Sequence, residues 1–293
     1  MEKTMKHLIS TSFFIIILSF LNNSVSYELS LEFVSAPATK HFVLLHGAGS
    51  GAWCWYKLIP MLRSYGYNVT AVDLAASEIN PLQIRDIQII SGYFQPLVEL
   101  IASLPANKRV IFIGHSIGGF AISYAMERFP SKIACAVFIA ALMPGPSLNA
   151  STVYQELFKR LGDPQDSILT FGDDPNYPTS ITLGPTFLRT RTYQLSPIED
   201  WTLATTLVRT SPLPSREDFS SGQLNVTKEK YGTVKRVFII SGKELLIPKE
   251  FQELMIRENP PNQVEKILGS DHMVMIPKPR ELRAILLRIA KKY

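Results

Sequence analysis

The segment Gly114-His115-Ser116-Ile117-Gly118 constrains this chain more than any other. It follows the apolar run Arg109-Val110-Ile111-Phe112-Ile113 and precedes the helix-like stretch Gly119 to Met126, so a serine sits on a sharp strand-to-helix turn. That is the G-x-S-x-G pattern of a nucleophile elbow. Its serine is expected in a strained backbone conformation, and a side chain at 114 or 118 would collide with the neighbouring turn. The same letters also fit an ordinary strand-to-helix loop in which the serine caps the next helix. What decides between the two is whether the rest of the chain supplies partners.

A serine hydroxyl is a weak nucleophile at neutral pH; it needs a base, a carboxylate to orient that base, and donors for an oxyanion. With an elbow of this kind, acid and histidine both follow the serine in the chain. His7 lies in an N-terminal leader, His41 opens a strand, His46 sits in an upstream Gly-rich loop and His115 adjoins the serine. Only His272 remains, after the apolar run Val264 to Leu268 and the turn Gly269-Ser270-Asp271. The acid should follow the strand Arg236 to Ile240, where Glu244 is the only carboxylate in Ser241 to Pro248. No acid follows the strand Cys135 to Leu142 in Met143 to Asn149. Asp271 reads as a turn residue bonding its own backbone. The expected oxyanion donors are the N–H groups of Ile117 and of Ala48, the latter in the small-residue loop His46 to Gly51 after the strand His41 to Leu45.

That loop admits a rival. Gly47-x-Gly49-x-x-Ala52 matches a dinucleotide fingerprint, with Asp73 ending the next strand at about the spacing of a ribose-binding acid. Against it stand the bulky Trp53, Trp55 and Tyr56, where a helix should pack closely on the sheet, and the ordered Ser116, Glu244 and His272 downstream.

Residues 1–26 read as a secretory signal peptide: Lys3 and Lys6, an apolar stretch from Leu8 to Leu21, then Ser24-Val25-Ser26. The stretch is short for a membrane span, so no stable membrane anchor is expected after cleavage. Removal of the leader leaves 28 basic and 24 acidic residues, a net charge of +4. No basic block or basic-aromatic repeat suggests a nucleic-acid surface. The implied destination is the secretory pathway, with the protein extracellular or vacuolar. Asn149 and Asn225 are the expected glycan sites, and Asn68, at the start of a core strand, is less suited. Cys54 and Cys135 both lie in apolar segments, so no essential disulfide is expected. There is no C-x-x-C or H-E-x-x-H signal for a metal.

Residues 27–293 are expected to form one α/β domain, a mainly parallel sheet flanked by helices. The strand-helix alternation runs from about 40 to 143, stops, and resumes near 235, which leaves about 145–233 as an inserted, mostly helical cap. Within it, Ser196-Pro197-Ile198-Glu199 has the form of a capping box. Phe187, Leu188, Tyr193 and Trp201 could roof an apolar pocket.

His46 to Lys57 (His-Gly-Ala-x-x-Gly-Ala-Trp-Cys-Trp-Tyr-Lys), Gly-His-Ser-Ile-Gly-Gly, Leu-Ser-Pro-Ile-Glu-Asp and Gly-Ser-Asp-His-Met together resemble the plant methylesterase and hydroxynitrile lyase family of α/β-hydrolases. The resemblance covers nearly the whole chain after the leader. It implies the α/β-hydrolase fold, a small-molecule ester substrate and no cofactor, with Ser116 as nucleophile, His272 as base, and Ala48 and Ile117 as oxyanion donors. The family acid is usually aspartate, so Glu244 is a departure. Lyases of this family carry threonine where Gly47 stands and lysine where Met273 stands; both are absent here, at positions expected to border the substrate. The methylketone-synthase branch, resembled by Pro144-Gly145-Pro146 and Tyr231 to Arg236, replaces the nucleophilic serine, which is retained here. Decarboxylation, cyanohydrin cleavage and plain ligand binding stay open as alternatives to ester hydrolysis, as does association into a homodimer.

Overall fold

The computed structural model describes residues 40–293 apart from Asn176. The leader expected at 1–26 lies outside the described residues.

Six short, apolar runs form the central sheet: β1 (His41–Leu45), β2 (Asn68–Val72), β3 (Val110–His115), β4 (Ile133–Ile139), β8 (Arg236–Ser241) and β9 (Gln263–Ile267). Their order is β2-β1-β3-β4-β8-β9, and every pairing is parallel. The two central strands, β3 and β4, are apolar along nearly their whole length because helices cover both faces of the sheet. Helix Gly118–Arg128 is buried over almost all of its length, whereas the last helix, Pro279–Lys292, is amphipathic and buries Leu282, Ile285, Leu286 and Ile289.

Between β4 and β8 the chain builds a roof. It contains helices Ala150–Leu161 and Ile198–Leu207 and a three-stranded antiparallel sheet, β5 (Ile168–Phe171), β6 (Pro178–Thr182) and β7 (Ser211–Pro212). Helices here were expected from the sequence, which read this segment as a mostly helical cap. The small sheet was not, because β5 is largely exposed and both β6 and β7 contain proline.

The expected capping box at Ser196…Glu199 does not form. Pro197 occupies the position before helix Ile198–Leu207, and Glu199 is exposed in its first turn. Ser196 is instead buried, and its hydroxyl donates to Asp271 (2.8 Å). Asp73, the ribose-binding acid of the rival reading, accepts the N–H of Ala52 (2.6 Å), while Trp53 donates its indole N–H to Glu78 (2.9 Å).

The elbow fixes how closely helix Gly118–Arg128 meets the end of β1. A methyl built on Gly118 would stand 2.6 Å from the carbonyl oxygen of His46 and 3.0 Å from that of Leu45. Both obstacles are backbone, so neither can rotate away. Gly118→Ala is expected to destabilise the fold by about 1–3 kcal/mol, the usual cost of overpacking. Thermal unfolding checks this, at about 2–4 °C of lost Tm per kcal/mol for a chain of this size.

Candidate active site

Ser116 has φ +56°, a left-handed conformation that a non-glycine residue adopts only under constraint. Its carbonyl accepts N–H groups from Gly119 (3.1 Å) and Leu142 (3.0 Å), which pins the turn to the chain leaving β4. The strained serine of the sequence reading is therefore present.

Ser116, Glu244 and His272 come from three loops at the carboxyl ends of the sheet strands, where ligands of open α/β sheets bind. His272 Nδ1 and Glu244 Oε2 lie 2.6 Å apart, and the side chains of both are almost fully shielded from water. A carboxylate can only accept, so Nδ1 carries the proton and Nε2 is left with a lone pair. Glu244 takes up its extra methylene by folding back on its own loop. Its other oxygen accepts the N–H groups of Leu246 (2.6 Å) and Ile247 (3.0 Å). Ser116 and His272 border the same cavity.

Asp271, the neighbouring carboxylate, is held elsewhere. One oxygen accepts the N–H of Met273 (3.0 Å), the turn contact expected from sequence, and the other accepts the N–H of Leu195 (3.0 Å) and the Ser196 hydroxyl. Burial pushes its carboxyl above the usual range, against the opposing pull of those hydrogen bonds. Sequence gave no hint of the link to Ser196, which is 75 residues away.

Sequence reasoning also missed the residues that hold the loops together. The Ser241 hydroxyl bridges the carbonyls of Ser270 (2.8 Å) and Asp271 (2.7 Å), which ties the end of β8 to the histidine loop. Buried Gln252 accepts the N–H of Ser241 and donates to the carbonyls of Ser241 and Ile247, bracing the loop that carries Glu244. His115, which by sequence merely adjoins the serine, donates its Nε2–H to the carbonyl of His272 (2.9 Å). Burial and the nearby His272 ring hold it well below the ordinary histidine range. A single serine at the end of a strand or glutamine in a helix carries no signal for these roles, because its partners are set by tertiary packing.

Ala48 and Ile117 stand where the two oxyanion donors are expected, at the end of β1 and at the start of helix Gly118–Arg128, and both line the cavity. Neither N–H is bonded to an acceptor among the described residues. The cavity, together with the open solvent at its mouth, spans about 720 Å³. Gly47, Met273, Phe187, Leu188 and Tyr193 line it, as the sequence suggested. Trp201 does not. Its indole N–H donates to the Pro185 carbonyl (3.0 Å), and the residue of that helix that meets the cavity is Ala204. Among the described residues, no Lys, Arg, Asp or Glu lines the cavity.

Residues 42–285 match the model of the alpha/beta hydrolase family. The chain belongs to that family. Methyl jasmonate esterase 1 of Vitis vinifera is 49% identical over 256 residues, covering 87% of this chain and 98% of the relative. Salicylic acid-binding protein 2 of Nicotiana tabacum is 43% identical over 259 residues, with 87% and 98% covered. Among solved structures, tomato methylketone synthase I complexed with 2-tridecanone is 50% identical, with a TM-score of 0.82 over 88% of this chain and all of that one. Polyneuridine aldehyde esterase is 38% identical, with a TM-score of 0.78 over 86% of this chain and 99% of that one. Plant methylesterases are thus among its relatives in sequence.

Because the Asp271 carboxylate is bonded away from the His272 ring, Asp271→Asn should act on stability more than on chemistry. The amide nitrogen would oppose the N–H of Leu195, an unmade buried bond costing about 1–3 kcal/mol. The expected result is a melting temperature several degrees lower, with esterase activity kept within about tenfold of wild type.

Proposed function

We propose that this chain is a serine carboxylesterase that hydrolyses methyl or other small esters of an apolar acid. The observation that carries the reading is the buried 2.6 Å contact of His272 with Glu244, beside a left-handed Ser116 on the floor of an uncharged cavity. In this reading Ser116 Oγ attacks the ester carbonyl as His272 Nε2 takes its proton, and Glu244 stabilises the imidazolium. The N–H groups of Ala48 and Ile117 receive the developing oxyanion. The C–O bond to the alcohol then breaks, His272 returns the proton to the leaving alkoxide, and water repeats the sequence on the acyl-enzyme to release the acid.

Leu157, Phe158, Ile181 and Leu183 supply much of the cavity wall, so the acid portion is small to medium in size, apolar or aromatic, and carries no second charge. The names of the relatives fit such acids. A panel of methyl jasmonate, methyl salicylate, methyl indole-acetate and a medium-chain methyl β-keto ester ranks them. A β-keto acid released by hydrolysis can lose CO2 afterwards, so a methyl ketone from the last substrate would point to hydrolysis first. Cyanohydrin cleavage is disfavoured because, among the described residues, no lysine or arginine faces the cavity to receive departing cyanide, and Met273 occupies the position concerned.

Ser116→Ala should reduce ester turnover by several orders of magnitude, and wild-type Ser116 should be labelled stoichiometrically by a fluorophosphonate. An unlabelled, folded wild type would turn the reading toward a binding protein. Glu244→Gln is expected to lower kcat by about 100-fold or more, with Glu244→Asp milder. A rate within about threefold of wild type for Glu244→Gln removes Glu244 from the mechanism.

The reading extends to the secretory pathway. Asn149 and Asn225 are both exposed, and Asn149 uses only its carbonyl oxygen to cap helix Ala150–Leu161, leaving its amide nitrogen for a glycan. Protein expressed in plant cells should lose apparent mass on treatment with an N-glycanase, and each Asn→Gln change at these two sites should remove one step of that shift.

A further inference from the structure

His46 lies next to the loop expected to supply an oxyanion donor, is fully buried, and has both ring nitrogens engaged. Its Nδ1–H donates to the carbonyl oxygen of Gly47 (2.8 Å), the residue that follows it. Its Nε2 accepts the N–H of Leu74 (3.1 Å), just beyond the end of β2. A carbonyl can only accept and an N–H can only donate, so these two contacts assign one neutral tautomer. Burial lowers the pKa of the ring, which favours the neutral form.

The Gly47 carbonyl and the Ala48 N–H belong to a single peptide unit. That unit is planar and trans, so its oxygen and its hydrogen point in opposite directions. Holding the oxygen toward the His46 ring therefore aims the Ala48 N–H the other way. Gly47 and Ala48 both line the cavity, and a methyl built on Gly47 would stand 2.8 Å from Ser116 Cβ and 3.3 Å from Ser116 Oγ. The peptide that His46 grips is thus the one packed against the nucleophile. A bare glycine peptide in a loop could otherwise rotate at little cost.

We infer that His46 is a positioning residue: it locks the Gly47–Ala48 peptide plane so that the Ala48 N–H is preset toward the oxyanion formed at Ser116. The inference rests on the acyl-transfer reading above. Leu74 is the other anchor, so the lock runs from the end of β2 through the imidazole to the end of β1. His46 touches neither substrate nor Ser116 Oγ in this scheme; it acts through one amide. An effect of this kind appears in the transition state and not in ground-state binding.

The test compares wild type with His46→Leu and His46→Asn, each checked for folding by circular dichroism and thermal unfolding. All three are assayed with a p-nitrophenyl ester and with the matching thionoester, whose C=S sulfur is a poor acceptor for backbone N–H groups. Loss of an oxyanion donor typically costs about 10²–10³ in kcat, and loss of its alignment should cost His46→Leu about tenfold or more, with KM within about threefold. The thionoester rate should fall much less. His46→Asn keeps a donor one bond from Cγ, as Nδ1 is, and should recover part of kcat even where His46→Leu folds poorly. An active wild type whose His46 variants keep kcat, or lose ester and thionoester rates equally, overturns the positioning role alone. A wild type without esterase activity overturns the acyl-transfer reading and the inference together.

Discussion

The left-handed backbone at Ser116 is the constraint on which the rest of the site depends. A residue held at φ +56° stays there only because its surroundings leave no alternative. Here they are backbone: the N–H groups of Gly119 and Leu142 converge on the Ser116 carbonyl, and Gly118 rests against the carbonyls of Leu45 and His46. The consequence reaches beyond one torsion. The contact that holds the turn also brings the start of helix Gly118–Arg128 to the end of β1, so Ile117 and Ala48, from different parts of the chain, line one cavity.

Around this point the support is polar and redundant. Ser241, Gln252 and His115 each bond backbone groups of another loop, and none of them needs a charge to do so. Neutral hydrogen bonds suit the purpose, because a buried ion would demand a partner and would perturb the histidine it supports. Glu244 is the carboxylate in contact with the His272 ring, and the amides of Leu246 and Ile247 compensate its burial. The reach of a glutamate side chain is accommodated locally, because its second oxygen folds back onto its own loop.

The main outline was legible in the sequence because it follows from short-range rules. The strands of the central sheet are apolar runs bounded by turn residues, and Ser116 and His272 follow from motif and chain order. Legibility ended where the determinant was a partner distant in the chain. Ser196 had every local mark of a helix cap, yet the buried Asp271 claims its hydroxyl. Trp201 had the size for a pocket wall, but its orientation is set by a bond to the Pro185 carbonyl. The strands of the small cap sheet fell below recognition because they lack alternation and two contain proline. The bracing residues are polar side chains of ordinary type, with nothing local to set them apart.

The cap is tied down at several separated points, among them a buried bond from the Gly49 N–H to the Ser211 hydroxyl oxygen (2.7 Å). Buried Asp200 accepts the Tyr56 hydroxyl and the Lys57 ammonium, both at 2.6 Å, which joins the Leu-Ser-Pro-Ile-Glu-Asp segment of the cap to the Trp-Tyr-Lys segment of the core. Arg209 donates to the carbonyls of Glu78, Asn80 and Leu82, and Asp271 secures Leu195 and Ser196. A roof fastened at so many separated points is not built to open like a hinged lid, and traffic in and out falls to rotamer changes of the side chains at the mouth. Such a construction also separates two kinds of change over evolutionary time. Residues of the inner lining can be exchanged one at a time, altering which acid is accepted, while the fastenings and the reactive floor keep their geometry.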